Sequence, residues 1–337
     1  MAEIKLYLIL IASIGFDLLI GDPRYLLHPV QVIGIYIKNT TNLLIRKFSS
    51  SSNVLFIGGL FISISTIAFS YCIGKFIEII YFKSELNDFW GVLLVIGSSS
   101  CLASKSLISG VKEISYLIQN QFIDKIQKEL IVEKVQRIVS RDVQKSSSDD
   151  LLRATTESLT ENSVDGVFAP LFWMFLGTIL IKYSIYFPGP LSLGFAYKAI
   201  STLDSMIGYK KDYFKKLGFF SAKIEDYATL IPCRLVVLTL PLISVNFHKY
   251  FYLIKKVCEE GSIYESPNAG FSEGVFAHVV DIKLGGKNQY GNSFVLKPIL
   301  NKDGANCDIK SIEKICALIL QLKLFWILLF SLIYFIS

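Results

Sequence analysis

The stretch VLFIGGLFISISTIAFSYCIGKFIEIIYF, residues 54–82, decides the fold class. A bilayer core about 30 Å thick is crossed by roughly 20 apolar helical residues, and this run exceeds that length. A second run, FWGVLLVIGSSSCLASKSLI at 89–108, follows a short polar turn around Ser84 to Asp88, so the two are expected to form a helical hairpin. Outward from this pair, residues 318–336 make a third strong span and residues 4–20 a shorter, acceptable one. Asp17 interrupts that first run, and Gly21-Asp22-Pro23-Arg24 stands where a cleavage site would need small residues. It therefore reads as a retained span and not a signal peptide.

Composition agrees. Of 337 residues 52% are hydrophobic and 18% charged, too oily for an ordinary soluble chain of this size. The net charge of +6 is spread between apolar runs rather than gathered in one patch, so a nucleic-acid partner is not expected. The six cysteines form no CxxC pair and sit in no His spacing, which indicates neither a zinc site nor a disulfide framework. The expectation is an all-α, multi-pass protein of the cell membrane, a single domain over 1–337 with about 4–5 transmembrane helices and a cytoplasmic helical layer.

Two apolar stretches leave the topology open. Residues 167–187 are long enough to cross but contain Pro170 and Lys182; residues 235–247 contain Pro241 and are too short to cross by themselves. Both read as re-entrant or buried helices. Polar regions at about 21–53, 109–166 and 188–317 separate the spans. The first two lie on one side by parity, and their basic residues make it the cytoplasm; re-entry at 167–187 keeps the third with them. Ser49 to Ser52 reads as a linker, and Ser148, followed by Asp149 and Asp150, as a helix N-cap.

Several clusters carry candidate chemistry. Asp22, Arg24 and His28 converge in a proline-stiffened segment that reads either as a helix stop with an interfacial Arg or as a phosphate holder. Glu157, Glu161 and Asp165 recur every fourth residue and would share one helix face, flanked by Asn162. A solvated face explains that spacing. So does a Mg²⁺ or base site, because the stripe runs into apolar sequence where unpaired carboxylates are expensive. Lys198, Thr202, Asp204 and Ser205 supply charge and hydroxyls suited to phosphate, or an amphipathic surface helix. Arg234 stands at the mouth of the short apolar run, where an Arg snorkels or clamps an anion. Asn268 within SPNAG, with Glu273 beyond it, and the LGGKNQYG run at 284–291 read as two tight glycine turns. No P-loop, GxSxG, HExxH or dinucleotide fingerprint is present, which removes the usual support for hydrolase, metalloprotease and dehydrogenase chemistry.

Taken in order, these clusters resemble the CobD/CbiB family, the adenosylcobinamide-phosphate synthases. The matching elements are GDPR with HPV, SRD at 140–142, ESLTEN, VDG, APLFW, YKAISTLDSMIGYK, IPCR, SPNAG, and LGG with Tyr290. The sequence departs from the family pattern at Val143, where Thr is usual, and Ser201, where Asn is usual. Cys233 stands for Ala and Phe271 for Trp; the acids before IPCR are Glu225-Asp226.

The resemblance implies a C–N ligase that joins aminopropanol or its O-phosphate to the propionate carboxylate of adenosylcobyric acid, with ATP consumed as co-substrate, Mg²⁺ as the metal and the active site facing the cytoplasm. It implies corrinoid as substrate and neither zinc, haem nor nicotinamide as cofactor, with other proteins of the cobalamin pathway as possible partners. On that reading Glu157, Glu161 and Asp165 hold Mg²⁺ or the amine. Asp22 and Asp204 assist them, with Lys198, Arg24 and Arg234 neutralising phosphate or carboxylate charge. Asn162 and Asn268 orient substrate, and His28 and Ser205 stand among the phosphate-binding candidates. The competing readings are a transporter, since intramembrane carboxylates mark many, and a non-catalytic corrinoid-binding scaffold. Against a transporter, more than half of the chain lies in polar connections rather than in spans.

Overall fold

The computed structural model describes residues 2–21, 29–48, 51–84, 86–119, 125–139, 141–208, 214–244, 247–290 and 293–336. Asp22, Arg24 and His28 lie outside them, as do most of the GDPR and HPV matches and part of the Ser49 to Ser52 linker. The chain opens with α1 (Ala2–Leu19), α2 (Pro29–Phe48), α3 (Ser52–Lys83), α4 (Asn87–Ser99), α5 (Ser104–Gln119) and α6 (Lys125–Gln136). It continues through α7 (Ser148–Ser163), a π-helical turn Val164–Phe168, α8 (Ala169–Leu180), α9 (Pro190–Ile207), α10 (Phe214–Leu217), α11 (Phe219–Ser244), α12 (Phe247–Gly261) and α13 (Ala269–Val280). An antiparallel hairpin, β1 (Leu284–Tyr290) and β2 (Ser293–Leu300), precedes α14 (Ile309–Ile336). The all-α expectation holds for the membrane architecture; the hairpin corrects it, and replaces the glycine turn read at 284–291.

Among the described residues five helices are long and apolar enough to cross a membrane: Ser52–Lys83, Asp88–Gln119, Ser148–Leu180, Phe219–Ser244 and Ile309–Ile336. Two of them contain the apolar stretches whose crossing the sequence left open. The run 235–247 is too short only when read alone; helix continues backwards to Phe219 and gives it 26 residues. Residues 167–180 likewise complete a helix that starts at Ser148. The first expected span, within Ala2–Leu19, carries Glu3, Lys5 and Asp17 and is not among the five. Asp17 is buried, and its Oδ1 accepts from the Ser104 N–H at 3.1 Å, meeting an orphan donor at the start of α5.

The prolines inside these helices are accommodated by side contacts. Pro170 has no N–H to give the Gly166 carbonyl, and the Ala103 N–H takes that carbonyl at 2.9 Å. Pro232 likewise releases the Ala228 carbonyl, which the Trp173 indole Nε1 takes at 3.0 Å. The cap of α7 is Ser147, one residue before the expected Ser148, because Ser147 Oγ accepts from the Asp150 N–H and donates to the Asp150 carboxylate.

The chain forms two compact units: Met1–Lys105, Asp165–Thr229 and Leu329–Ser337 in the first, Ser106–Val164 and Leu230–Leu328 in the second. In the first unit Ile37, Leu55, Ile62, Leu203, Ile207 and Leu217 form a buried core. Fully buried Glu78 accepts from the Gly189 and Ser192 N–H groups and the Ser192 hydroxyl, capping α9, while Lys75 pairs with it at 3.4 Å. Close approach sets one residue type. A Cβ on Gly59 would sit 1.9 Å from the Leu217 carbonyl oxygen. Gly59→Ala is therefore expected to cost at least the 1–3 kcal/mol typical of overpacking, read as a lower thermal midpoint in detergent.

Candidate functional site

The second unit gathers buried charges from α7, α13, the hairpin and the loop before α7. Glu157 is 5% exposed. Its Oε2 meets Arg141 Nη1 at 3.0 Å, and its Oε1 meets Arg153 Nη1 at 3.2 Å and the Gly285 N–H at 2.9 Å. Both guanidinium groups donate to Asn288 Oδ1 from β1. Arg153 continues to the Gly285 and Lys287 carbonyls at 2.6 and 3.0 Å and to Asp150 at 3.1 Å. A carboxylate lodged between two arginines and a backbone N–H is saturated as an acceptor.

The hairpin is bent to make this possible. Its register slips between Leu284 and Gly286, where β2 has one residue more than β1 and Pro298 needs no ladder N–H partner. Gly285 has φ +85°, and a Cβ there would lie 2.0 Å from the Pro298 carbonyl oxygen. Gly285→Ala is expected to displace the N–H that Glu157 uses, lowering the thermal midpoint and abolishing activity together.

One turn into α13, Glu273 is 0% exposed. Lys297 of β2 reaches its Oε1 at 3.2 Å, whereas its Oε2 has no hydrogen-bond partner among the described residues. Burial pushes the Glu273 carboxyl up to about 8, with Glu157 and Glu161 adding to the rise against the pull of Lys297. Burial works against the charge of Lys297, but Glu273, Glu161 and Glu157 outweigh it and hold that ammonium above its ordinary range. The Tyr264 hydroxyl is raised by burial and by the same three carboxylates, and it donates to the Pro298 carbonyl at 3.1 Å. Glu161, half-buried on α7, makes no ion pair among the described residues.

At the start of α13, Arg234 Nη2 donates to the Pro267 carbonyl at 2.8 Å, and its guanidinium lies 3.6 Å from the Phe271 ring centroid. Its Nη1 is buried without a hydrogen-bond partner among the described residues. The Asn268 carbonyl accepts from the Phe271 and Ser272 N–H groups and from Cys233 Sγ. Asn162 turns back onto its own helix, donating to the Ser158 carbonyl and hydroxyl.

Of the expected residues, Glu157, Glu161, Asn162, Arg234 and Asn268 fall in this unit. Asp165, Lys198, Asp204 and Ser205 fall in the other. There Asp165 sits in the π turn, and Ser205 Oγ and Thr202 Oγ1 donate to backbone carbonyls of α9. The wide turn begins at Val164, so the four-residue repeat of the acidic stripe stops short of Asp165. Among the described residues no group of three His, Cys, Asp or Glu side chains is arranged to hold a metal, and Glu157 is spent on arginines. The three-carboxylate metal set at 157, 161 and 165 does not fit this geometry, and no step is routed through it. Arg141, Arg153, Glu273, Lys297 and Asn288 were not assigned from sequence. Arg141 lay within the SRD match, Glu273 stood beyond SPNAG and Asn288 lay in the LGGKNQYG run, whereas Arg153 and Lys297 carried no signal.

A family model described as CobD/Cbib protein matches residues 10–319. The cobalamin biosynthesis protein CobD of Synechocystis sp. is 36% identical over 294 residues, covering 87% of this chain and 81% of that protein. The protein of the same description from Clostridium tetani is 33% identical over 297 residues, 86% of each chain, and that from Listeria monocytogenes 30% over 326 residues, 96% of each. No solved structure matches.

Proposed function

We propose, since this chain belongs to the CobD/CbiB family of cobalamin biosynthesis proteins, that it is an adenosylcobinamide-phosphate synthase. It joins aminopropanol, or its O-phosphate, to the propionate carboxylate of adenosylcobyric acid at the cytoplasmic face of the membrane. The observation that carries the reading is the cluster of buried Glu273 with half-buried Glu161 and Lys297, braced by the Arg141–Glu157–Arg153 network, on a chain of that family. A carboxylate and an amine at neutral pH form a salt, not an amide, so the carboxylate needs activation; ATP with Mg²⁺ supplies it as a phosphoryl group, giving an acyl phosphate. Arg234, Lys198 and Arg24 neutralise phosphate or carboxylate charge. Asn162 and Asn268 orient substrate, and Asp22, His28, Asp165, Asp204 and Ser205 remain candidates that the family resemblance nominates. Burial of the acidic cluster supports the reading, because low-dielectric surroundings strengthen each charge contact and keep water from the activated acyl group.

The test is turnover. Protein purified in detergent and given adenosylcobyric acid, aminopropanol phosphate, ATP and Mg²⁺ is expected to yield the amide by mass spectrometry, and none when ATP or Mg²⁺ is withheld. Folded, corrinoid-binding protein that forms no amide under these conditions would remove the ligase reading and favour a corrinoid-binding scaffold.

A further inference from the structure

Two carboxylates in the second unit are left open, in contrast to their neighbour. Glu157 is satisfied by Arg141, Arg153 and the Gly285 N–H. Glu161, one turn along the same helix, makes no ion pair among the described residues. Glu273 is 0% exposed and uses only Oε1, on Lys297. The Tyr264 hydroxyl also faces Glu273, but it has one proton, which it donates to the Pro298 carbonyl at 3.1 Å, so it cannot serve both acceptors fully. A buried carboxylate oxygen without a donor is costly to fold around, and a fold keeps one where something else supplies the donor.

With Glu273 ionised, three cations (Arg141, Arg153 and Lys297) stand against four carboxylates (Asp150, Glu157, Glu161 and Glu273). In the empty site the proton that Glu273 holds up to about 8 makes up the difference, and a bound cation would take that proton's place and leave Glu273 ionised. A monovalent cation with several hydrogen-bond donors meets both needs, and a primary ammonium carries three. Magnesium is the poorer match, since no third carboxylate or His among the described residues joins the pair.

We infer that Glu161 and Glu273 seat the primary ammonium of the amino-alcohol substrate, and that Glu273 takes the proton this ammonium must lose before it can attack. The assignment rests on the ligase reading above. In the step, the ammonium gives one proton to Glu273 and the freed nitrogen pair attacks the acyl-phosphate carbonyl. The C–N bond forms and the C–O bond to phosphate breaks; the second proton of the amine leaves on the phosphate. A base whose carboxyl lies at about 8 is well matched to this work near neutral pH. The groups facing it are Lys297 from β2, Glu157 and Glu161 from α7, and Tyr264 from the segment before α13.

The experiment is steady-state kinetics on detergent-purified wild type, Glu273→Gln and Glu161→Gln, varying 1-amino-2-propanol O-phosphate and ATP separately. Glu273→Gln is expected to raise KM for the amine about tenfold or more and to lower kcat about a hundredfold, with KM for ATP unchanged. Hydroxylamine, a weak base already neutral at pH 7, is expected to bypass the lost base and react with both enzymes at similar rates. Wild-type kinetics in Glu273→Gln, or a change confined to the ATP or Mg²⁺ dependence, overturns the assignment. Glu161→Gln, at a half-buried position, carries the same KM prediction should Glu273→Gln misfold.

Thermal unfolding against pH gives a readout independent of turnover. The folded carboxyl holds its proton up to about 8 and an unfolded one only to about 4.5, so wild-type stability falls as pH rises between them. Glu273→Gln is expected to flatten that slope. Direct titration distinguishes this assignment from the ligase reading. Wild type is expected to bind the aminopropanol phosphate and not propanediol phosphate, which lacks the amine, even if no amide forms; equal binding of the two sinks the ammonium site alone.

Discussion

Glu157→Gln is expected to unfold the second unit's charge cluster rather than only slow the enzyme. The substitution removes the anion between Arg141 and Arg153 and leaves Arg141, 6% exposed, with only the Asn288 amide oxygen as a side-chain partner. Breaking a buried pair by removing one member costs about 3–5 kcal/mol, because the surviving charge keeps its desolvation penalty and loses its compensation. Loss on that scale is a large fraction of a domain's stability. The measurement is a melting curve in detergent with limited proteolysis of the hairpin: a drop of several degrees and early cleavage near residues 284–300 are expected. A wild-type curve would mean that Glu157 faces a ligand instead of holding the arginines.

Glu161→Gln is expected to behave in the opposite way. Glu161 is one turn from Glu157 on the same helix, yet it has no ion pair among the described residues and is half-buried, so its neutral isostere leaves no cation stranded. The melting curve should stay within about 0.5 kcal/mol of wild type, as for substitutions away from buried networks. Amide formation should fall by about two to four orders of magnitude, the range for losing a group that acts on the reacting proton or its carrier. Two glutamates four residues apart, one failing by folding and the other by chemistry, separate the brace from the site. Full activity in Glu161→Gln would place the substrate amine elsewhere.

The membrane class was legible because apolar runs of 20 residues have few other uses, and 54–82 became a helix near its expected limits, whereas 89–108 is interrupted between α4 and α5 and continues to Gln119. The helix Phe219–Ser244 was not, because Lys223, Glu225 and Asp226 in its first turns made its apolar half look isolated. The stripe at 157, 161 and 165 was drawn on an ideal helix, and the π turn opening at Val164 is a tertiary outcome that four-residue spacing does not encode. The hairpin was hidden by its composition: the glycines at 285 and 286 read as a turn, while here Gly285 permits the bulge that aims its N–H at Glu157. Glu273 was visible as a letter but not as a site. Its helix, Ala269 to Val280, is mostly apolar, and only the structure shows that Lys297, 24 residues away, is its partner. The Arg141–Glu157 pair likewise bridges a loop and a helix, and ion pairing at such a distance leaves no periodic trace.

Family membership shows a cobalamin biosynthesis protein; the central proposal beyond it is that a corrinoid carboxylate is activated by phosphoryl transfer and captured by an amine. The most direct test is isotopic. Adenosylcobyric acid carrying ¹⁸O in its free propionate carboxylate is incubated with detergent-purified protein, Mg²⁺-ATP and aminopropanol phosphate, and the products are resolved by mass spectrometry. One ¹⁸O per turnover in inorganic phosphate, with ADP and the amide in equal amounts, is the expected result. Label appearing in AMP, or amide formed with no label transferred to phosphate, would contradict it.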